Sequence, residues 1–191
     1  LASVTIPDTV TSMGSSAFSG CYNLQSVYIT DLAAWCKIAF KDDADSNPLS
    51  NGADLYMNGK KATNVVIPNG VTRIGPCAFY GCSSLVTVTV PESVTSISES
   101  AFEKCGSLTA VSIPKSVTSI SYSAFEDCKN LKDVYYTGTE EAWKHILRGS
   151  FNDPLENAGI RYNAAVLFPS ASQTADGTVY KVRAANLPVS S

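Results

Sequence analysis

The sequence has few of the residues on which nucleic-acid binding or membrane insertion depends. Charged residues make up only 16% of its 191 positions, and 14 Lys and Arg against 17 Asp and Glu give a net charge of −3. Basic residues form no run anywhere, which excludes nucleic acid and anionic lipid surfaces as partners. The apolar run at 164–168 is about a quarter as long as a membrane-spanning helix, so no membrane insertion is expected.

Residues typical of catalytic and metal sites are also scarce. The sole histidine, His145, is interpreted as a solvated helix residue, and a Ser or Cys nucleophile usually requires a base beside it. No C-x-x-C spacing suited to zinc and no glycine-rich phosphate loop occurs. The acidic residues Asp42, Asp43 and Asp45 favour a polar loop over the alternative of a weak cation site. The sequence therefore predicts no enzyme, no metal and no cofactor.

What the sequence does contain is an internal repeat. Four segments match one another, at residues 5–24, 66–85, 89–108 and 112–131. The last three copies follow one another at a constant interval, whereas the gap after the first copy holds one ordinary repeat and a longer segment. Such periodicity predicts a solenoid whose coils bury their apolar side chains against each other.

An apolar pair in each coil alternates with polar residues, as in Val4-Thr5-Ile6, and predicts one short parallel strand per coil. The pairs recur at the interval of the repeat, with one longer step between the second and the third. They are Val4/Ile6, Val27/Ile29, Val65/Ile67, Val88/Val90, Val111/Ile113 and Val134/Tyr136. Prolines such as Pro7 and Pro68 end the strands, because proline removes a ladder donor. We therefore expect six coils in one solenoid.

Other apolar residues recur at fixed positions and predict a continuous core. The phenylalanines at one such position should form a buried column: Phe18, Phe79, Phe102 and Phe125. The cysteines at another are Cys21, Cys82, Cys105 and Cys128. Stacked strands are about 4.8 Å apart, which exceeds the usual disulfide Cβ separation, so buried reduced thiols are expected. Cys36 and Cys77 lie outside this column, and a bridge between them stays open.

The repeat, with Ala-Phe-x-x-Cys following Val-x-x-Ile, resembles the BspA-like leucine-rich repeats of surface proteins from anaerobic bacteria and a protozoan parasite. The resemblance covers residues 1–136 apart from an insertion. It implies an α/β fold, a right-handed leucine-rich-repeat superhelix. It also implies secretion or surface display and adhesion to host proteins or other cells.

Two related inserts bracket three regular coils, at residues 30–64 and 137–163, and the first is expected to lengthen its coil. Each predicts a short amphipathic helix, at 31–40 and 139–147, the second capped by Thr139. Trp35 and Trp143 occupy equivalent positions and should fix these helices to the solenoid. As an alternative, they could be binding aromatics.

The ends of the chain and the tip of the first insert give further expectations. Asn58-Gly59 predicts a projecting β-hairpin in the first insert. Residues 164–169 could form a seventh strand, which gives a repeat domain at 1–169, and 170–191 is a cap, a linker or the start of another domain. Because Leu1 already lies within a repeat, we expect the native chain, with any signal peptide, to begin upstream.

The outward strand positions form two rows, and rows of this kind line the concave surface with which repeat proteins bind partners. The first row is Thr5, Tyr28, Val66, Thr89, Ser112 and Tyr135. The second is Ser3, Ser26, Asn64, Thr87, Ala110 and Asp133. Tyr28 and Tyr135 are the expected hot spots, because tyrosine combines a large contact area with a polar tip. The alternative is that Ser and Thr occur here because they suit exposed strands.

Three functions are compatible with this pattern. The first is an adhesion module for an extracellular-matrix or cell-surface protein, located outside the cell or on its surface. The second is glycan binding through exposed Tyr and Trp side chains. The third is a passive spacer that carries another domain.

Overall fold

The computed structural model describes residues 1–41 and 44–164. The predictions made for Asp42, Asp43 and residues 165–191 lie outside the described residues, so the seventh strand and the C-terminal cap, linker or domain stay predictions.

Short strands dominate the described chain, and its helices are brief. The strands are β1 (Ser3–Ile6), β2 (Ser12–Met13), β3 (Ser26–Ile29), β4 (Ala39–Phe40), β5 (Asp54–Met57), β6 (Lys60–Lys61), β7 (Asn64–Val66), β8 (Arg73–Ile74), β9 (Thr87–Thr89), β10 (Ser96–Ile97), β11 (Ala110–Ile113), β12 (Ser119–Ile120), β13 (Asp133–Tyr136), β14 (Leu147–Arg148) and β15 (Gly159–Arg161). The helices are α1 (Leu32–Trp35), α2 (Glu140–Lys144) and α3 (Asp153–Asn157), with a 3-10 turn at Ala44–Ser46.

The longer strands pair in parallel between successive coils, which confirms the predicted α/β solenoid. Equivalent residues lie opposite each other: Val4 pairs with Val27, and Val111 pairs with Val134. One sheet has the order β1-β3-β5-β6, and another has the order β15-β13-β11-β9-β7. The apolar residue of each pair faces inward, so the repeat in sequence becomes a continuous core in space.

The prediction that β3 and β7 belong to one ladder is wrong. Strand β3 pairs with β5, where Val27 lies opposite Leu55, and β7 begins the second sheet. The insert therefore completes a coil of its own instead of lengthening another. In the second insert, Val134 likewise pairs with Ile160 of β15.

The hairpin at Asn58-Gly59 is confirmed, although its first strand does not project. Asn58 and Gly59 have φ values of 49° and 74°, which the two central residues of a type I′ turn require. Tyr56 pairs with Lys61 across the antiparallel β5–β6 ladder. Because β5 also pairs with β3, the hairpin closes the edge of the first sheet.

Each regular coil also has a second, shorter strand, whereas the sequence predicted one strand per coil. These short strands pair in parallel in the orders β14-β12-β10-β8 and β2-β4. Ile74, Ile97 and Ile120 come from them and are fully buried. Each such strand is too brief for its alternation to be recognised as a strand signal.

The predicted phenylalanine column is confirmed for three of its four members. The rings of Phe79, Phe102 and Phe125 are fully buried and stack with centroids 5.2 Å apart. Phe18 is only half-buried. Its N–H donates to the carbonyl of Asp45 in the first insert.

The insert helices begin where predicted but end earlier. The side chains of Asp31 and Thr139 cap them by accepting hydrogen bonds from the N–H groups of Ala34 and Ala142. The residues expected to complete the helices instead form β4 and β14, which pair with β2 and β12. Trp35 and Trp143 are 1% and 5% exposed, which confirms that they fix the helices to the core and excludes them as binding aromatics.

Candidate functional site

The outward side chains of the longer strands lie on two sheets of the solenoid, and together they are called here the strand face. Its members are Ser3, Thr5, Ser26, Tyr28, Asp54, Tyr56, Asn64, Val66, Thr87, Thr89, Ala110, Ser112, Asp133, Tyr135, Gly159 and Arg161. The strand pairing brings each predicted row residue beside its equivalent in the next coil, except across the break between β3 and β7. Tyr28 and Tyr135, predicted in one row, therefore lie on different sheets.

The middle of the strand face offers a partner little surface. Thr89 is 5% exposed and Ser112 is 3% exposed. The prediction that these two residues are open contacts for a ligand is therefore wrong. Ser112 lies in register between Thr89 and Tyr135. Ala110 in the second row is also buried.

The polar residues between the two ends are half-buried and partly satisfied within the protein. The hydroxyl of Thr87 donates to the side-chain oxygen of Asn64 over 2.9 Å, and Val66 is half-buried. Ser26, on β3 with Tyr28, is also half-buried. These residues have short side chains. The large side chains lie towards the two ends of the strand face, called here the first end (β3, β5 and β6) and the second end (β13 and β15).

At the first end, Tyr28 stacks on Tyr56. The two rings are 5.0 Å apart at 29°, and both are half-buried. Beside them, Lys61 forms an ion pair with Asp54 over 2.7 Å. The hydrogen bond to Asp54 raises the pKa of the Lys61 ammonium.

At the second end, Tyr135 lies beside Arg161. The guanidinium carbon is 5.5 Å from the ring centroid, and one guanidinium nitrogen is 2.8 Å from a carboxylate oxygen of Asp133. This hydrogen bond is also the main reason that the pKa of Arg161 is raised.

Sequence reasoning found Tyr28, Tyr135 and Asp133 but missed Asp54, Tyr56, Lys61 and Arg161. The missed residues lie in the inserts, the first of which the repeat predicts to be an extension of a coil. Their signal was the alternation Asp54-Leu55-Tyr56, which has the same pattern as Asp133-Val134-Tyr135. That alternation predicts a strand with its charged and aromatic side chains on one face.

The cysteines are free thiols with a packing role. Four are buried, namely Cys36, Cys82, Cys105 and Cys128, while Cys21 and Cys77 are half-buried. No bridge joins Cys36 to Cys77. Burial raises the pKa of Cys82 to about 11 and that of Cys128 to about 12, so both remain protonated at neutral pH.

The thiols of the column also contact backbone between coils. Cys105 Sγ donates to the carbonyl of Phe79, and Cys128 Sγ donates to that of Phe102, over 3.1 and 3.0 Å. These hydrogen bonds tie each coil to the one before it. A buried neutral thiol is a poor nucleophile, so this cluster is suited to packing.

Neither a metal centre nor a membrane-spanning helix is found in the described part of the chain. Within residues 1–41 and 44–164, no three His, Cys, Asp or Glu side chains are grouped so that they could hold a metal ion. His145 is 74% exposed on its side chain and contacts the carbonyl of Glu141. None of the described helices is long and apolar enough to span a bilayer.

One known protein family matches most of the chain. The family described as the BspA type leucine rich repeat region matches residues 1–44 and 51–160, in six copies. No curated protein matches the chain.

Several solved structures are similar to the chain. A leucine-rich repeat protein from Bacteroides ovatus is 25% identical, with 85% of this chain and 42% of that chain covered and a TM-score of 0.43. A leucine rich cell surface protein from Faecalibacterium prausnitzii is 22% identical, with 77% and 62% covered and a TM-score of 0.30. The T. pallidum leucine rich repeat protein is 18% identical, with 86% and 87% covered and a TM-score of 0.47. The chain thus spans less than two thirds of the first two proteins.

Proposed function

Because the chain belongs to the BspA-type leucine-rich-repeat family, we propose that it is a protein-recognition module that acts in adhesion, outside the cell or on its surface. Its partner is an extracellular-matrix or cell-surface protein. The strand face is the surface that binds this partner.

The observation that carries this proposal is the placement of tyrosines at both ends of the strand face. Tyr28, Tyr56 and Tyr135 are half-buried, so their positions are fixed while part of each ring stays accessible. Tyrosine and arginine are enriched among the residues that dominate binding energy at protein interfaces. Fixed side chains also lose little entropy when a partner binds.

The low net charge of the chain favours recognition through short-range contacts. With a net charge of −3 on 191 residues, the chain has no strong field with which to attract a distant partner. Affinity must then come from contact and complementary shape, as at a protein interface.

We expect no catalysis from this module. The column thiols are buried, and burial raises the pKa values of Cys82, Cys105 and Cys128. The one histidine, His145, caps the end of a helix and is well exposed. These side chains do not combine a reactive nucleophile with a base.

The test measures binding of the chain to a panel of immobilised extracellular-matrix proteins and to a glycan array. We expect at least one protein to bind with micromolar affinity or better. Replacing Tyr28→Ala together with Tyr135→Ala should weaken that binding about 100-fold, because each is expected to be a hot spot. Tyr22→Ala is the matched control, since Tyr22 is 79% exposed and lies outside the strands.

The outcomes separate the candidate functions. Unchanged affinity in the double variant would reject the strand face as the site. Binding only to the glycan array would favour the glycan module. Absence of binding to either set would favour a passive spacer.

A further inference from the structure

The two ends of the strand face carry the same arrangement of side chains. On β5, Asp54 and Tyr56 flank Leu55, and Lys61 on the neighbouring β6 pairs with Asp54. We call Asp54, Tyr56 and Lys61, with the stacked Tyr28, the first cluster.

On β13, Asp133 and Tyr135 likewise flank Val134, and Arg161 on the neighbouring β15 pairs with Asp133. We call Asp133, Tyr135 and Arg161 the second cluster. Each cluster thus consists of a carboxylate, a tyrosine and a cation from the next strand.

The regular coils have no such cluster. Their equivalent pairs are Asn64 with Val66, Thr87 with Thr89 and Ala110 with Ser112. All six side chains are uncharged, and none is aromatic. The clusters therefore distinguish the two inserts from the coils between them.

The orientation of the tyrosine rings in the two clusters favours a polypeptide over a sugar as the ligand. Side chains on a strand stand roughly perpendicular to the sheet, so the faces of in-register rings point along the ladder towards their neighbours. Tyr28 and Tyr56 cover each other, and Arg161 covers one face of Tyr135. A sugar ring stacks on an open aromatic face, whereas each of these rings already has one face covered by a side chain of the protein.

The absence of net charge on the two clusters further restricts the chemical class of the partner. Each cluster contains one carboxylate and one cation, already 2.7 or 2.8 Å apart, and is neutral as a whole. A neutral cluster gives no net attraction for a polyanion or a polycation. The partner that fits it supplies hydrogen-bonding groups and apolar contacts, with little net charge.

We propose that the strand face binds one weakly charged polypeptide at two points, the first cluster and the second cluster, across the three regular coils. This inference rests on the proposed function and specifies its partner. Strands β7 to β13 alone span roughly 14 Å at the usual strand spacing. The bound segment is therefore extended or presents two separate contacts.

The test uses the full chain and the matrix protein that binds it in the panel. Tyr56→Ala and Tyr135→Ala should each weaken binding about 10-fold, and the double variant about 100-fold, because distant sites contribute additively to the free energy. Tyr56→Phe keeps the stacked ring and removes only the hydroxyl. It should weaken binding about 3-fold while leaving the thermal unfolding midpoint unchanged. Affinity should also change less than about 3-fold between roughly 50 and 300 mM NaCl.

The results distinguish this inference from the function on which it rests. Absence of any protein partner overturns both. A partner whose affinity is unaffected by either Tyr56→Ala or Tyr135→Ala overturns two-point binding and leaves the adhesion function standing. A steep loss of affinity with salt, or a glycan that competes with the protein, overturns the assigned partner class.

Discussion

The three regular coils, residues 64–132, and the two insert coils, residues 26–53 and 133–158, are held together differently. In the regular coils, identical residues stack on one another, and the rings of Phe79, Phe102 and Phe125 repeat every 5.2 Å. The insert coils have no phenylalanine in this column. Asn47 and Asn152, 0% and 1% exposed, make their cross-coil contacts.

The two asparagines replace apolar stacking by hydrogen bonds to buried backbone. Asn152 accepts from the N–H of Phe125 over 3.0 Å and donates to the carbonyl of Ser121 over 2.9 Å. Asn47 donates to the carbonyl of Cys77 over 2.6 Å. An irregular coil can therefore stack on a regular coil when a buried polar side chain forms hydrogen bonds with the backbone groups that the regular coil leaves unpaired.

The largest expected effect lies in the regular coils. Phe102→Ala should lower the free energy of unfolding by about 3–5 kcal/mol, because it leaves a cavity between two stacked rings. Urea denaturation measures this loss. Phe18→Ala, at the half-buried end of the column, should cost less than half as much. Equal losses for the two variants would contradict a column that ends before Phe18.

A second substitution tests the insert coils. Asn152→Ala should cost about 2–3 kcal/mol, because it leaves the N–H of Phe125 and the carbonyls of Ser121 and Gly149 without their partner. The control is Asn130→Ala, whose exposed amide donates to Gly106, and it should change stability by less than about 0.5 kcal/mol. If both substitutions proved equally mild in urea denaturation, the polar contact of the second insert would not hold it.

The smallest expected effect compares the two inserts with each other. Trp35 Nε1 donates to the carbonyl of Ala78 in the following coil over 2.9 Å, while Trp143 Nε1 has no acceptor among the described residues. Trp35→Phe should therefore cost about 1 kcal/mol more than Trp143→Phe. Thermal unfolding of the two variants measures the difference. A larger loss for Trp143→Phe would show that the inserts are anchored differently from this description.

The regular coils were predictable from the sequence because each apolar position recurs at a constant interval. Phe79, Phe102 and Phe125 could be placed in one column without coordinates. The path of the inserts could not be predicted in this way. Val27 on β3 pairs with Leu55 on β5, and the number of residues between them departs from the repeat interval. A single short strand also has too little alternation to show which strand it pairs with. The buried asparagines gave no signal, because a polar residue in an insert is normally exposed.

The candidate site was predictable only in part, for the same reason. The repeat identified Tyr28, Tyr135 and the row positions between them. It could not show that Thr89 and Ser112 are buried, because alternation along a strand marks which side chains face outward but not how exposed they are. Arg161 joins the site through pairing of β15 with β13, which follows from the path of the second insert.

Hydroxyl-radical footprinting of the tyrosines, with and without the bound matrix protein, is the most direct test of the account. It reports accessibility at each ring, so a single experiment compares the strand face with the rest of the surface. We expect the partner to protect Tyr28, Tyr56 and Tyr135 and to leave the exposed Tyr22 and Tyr122 oxidised as before. Protection of Tyr22 or Tyr122, with the three strand-face tyrosines unchanged, would contradict binding by the strand face.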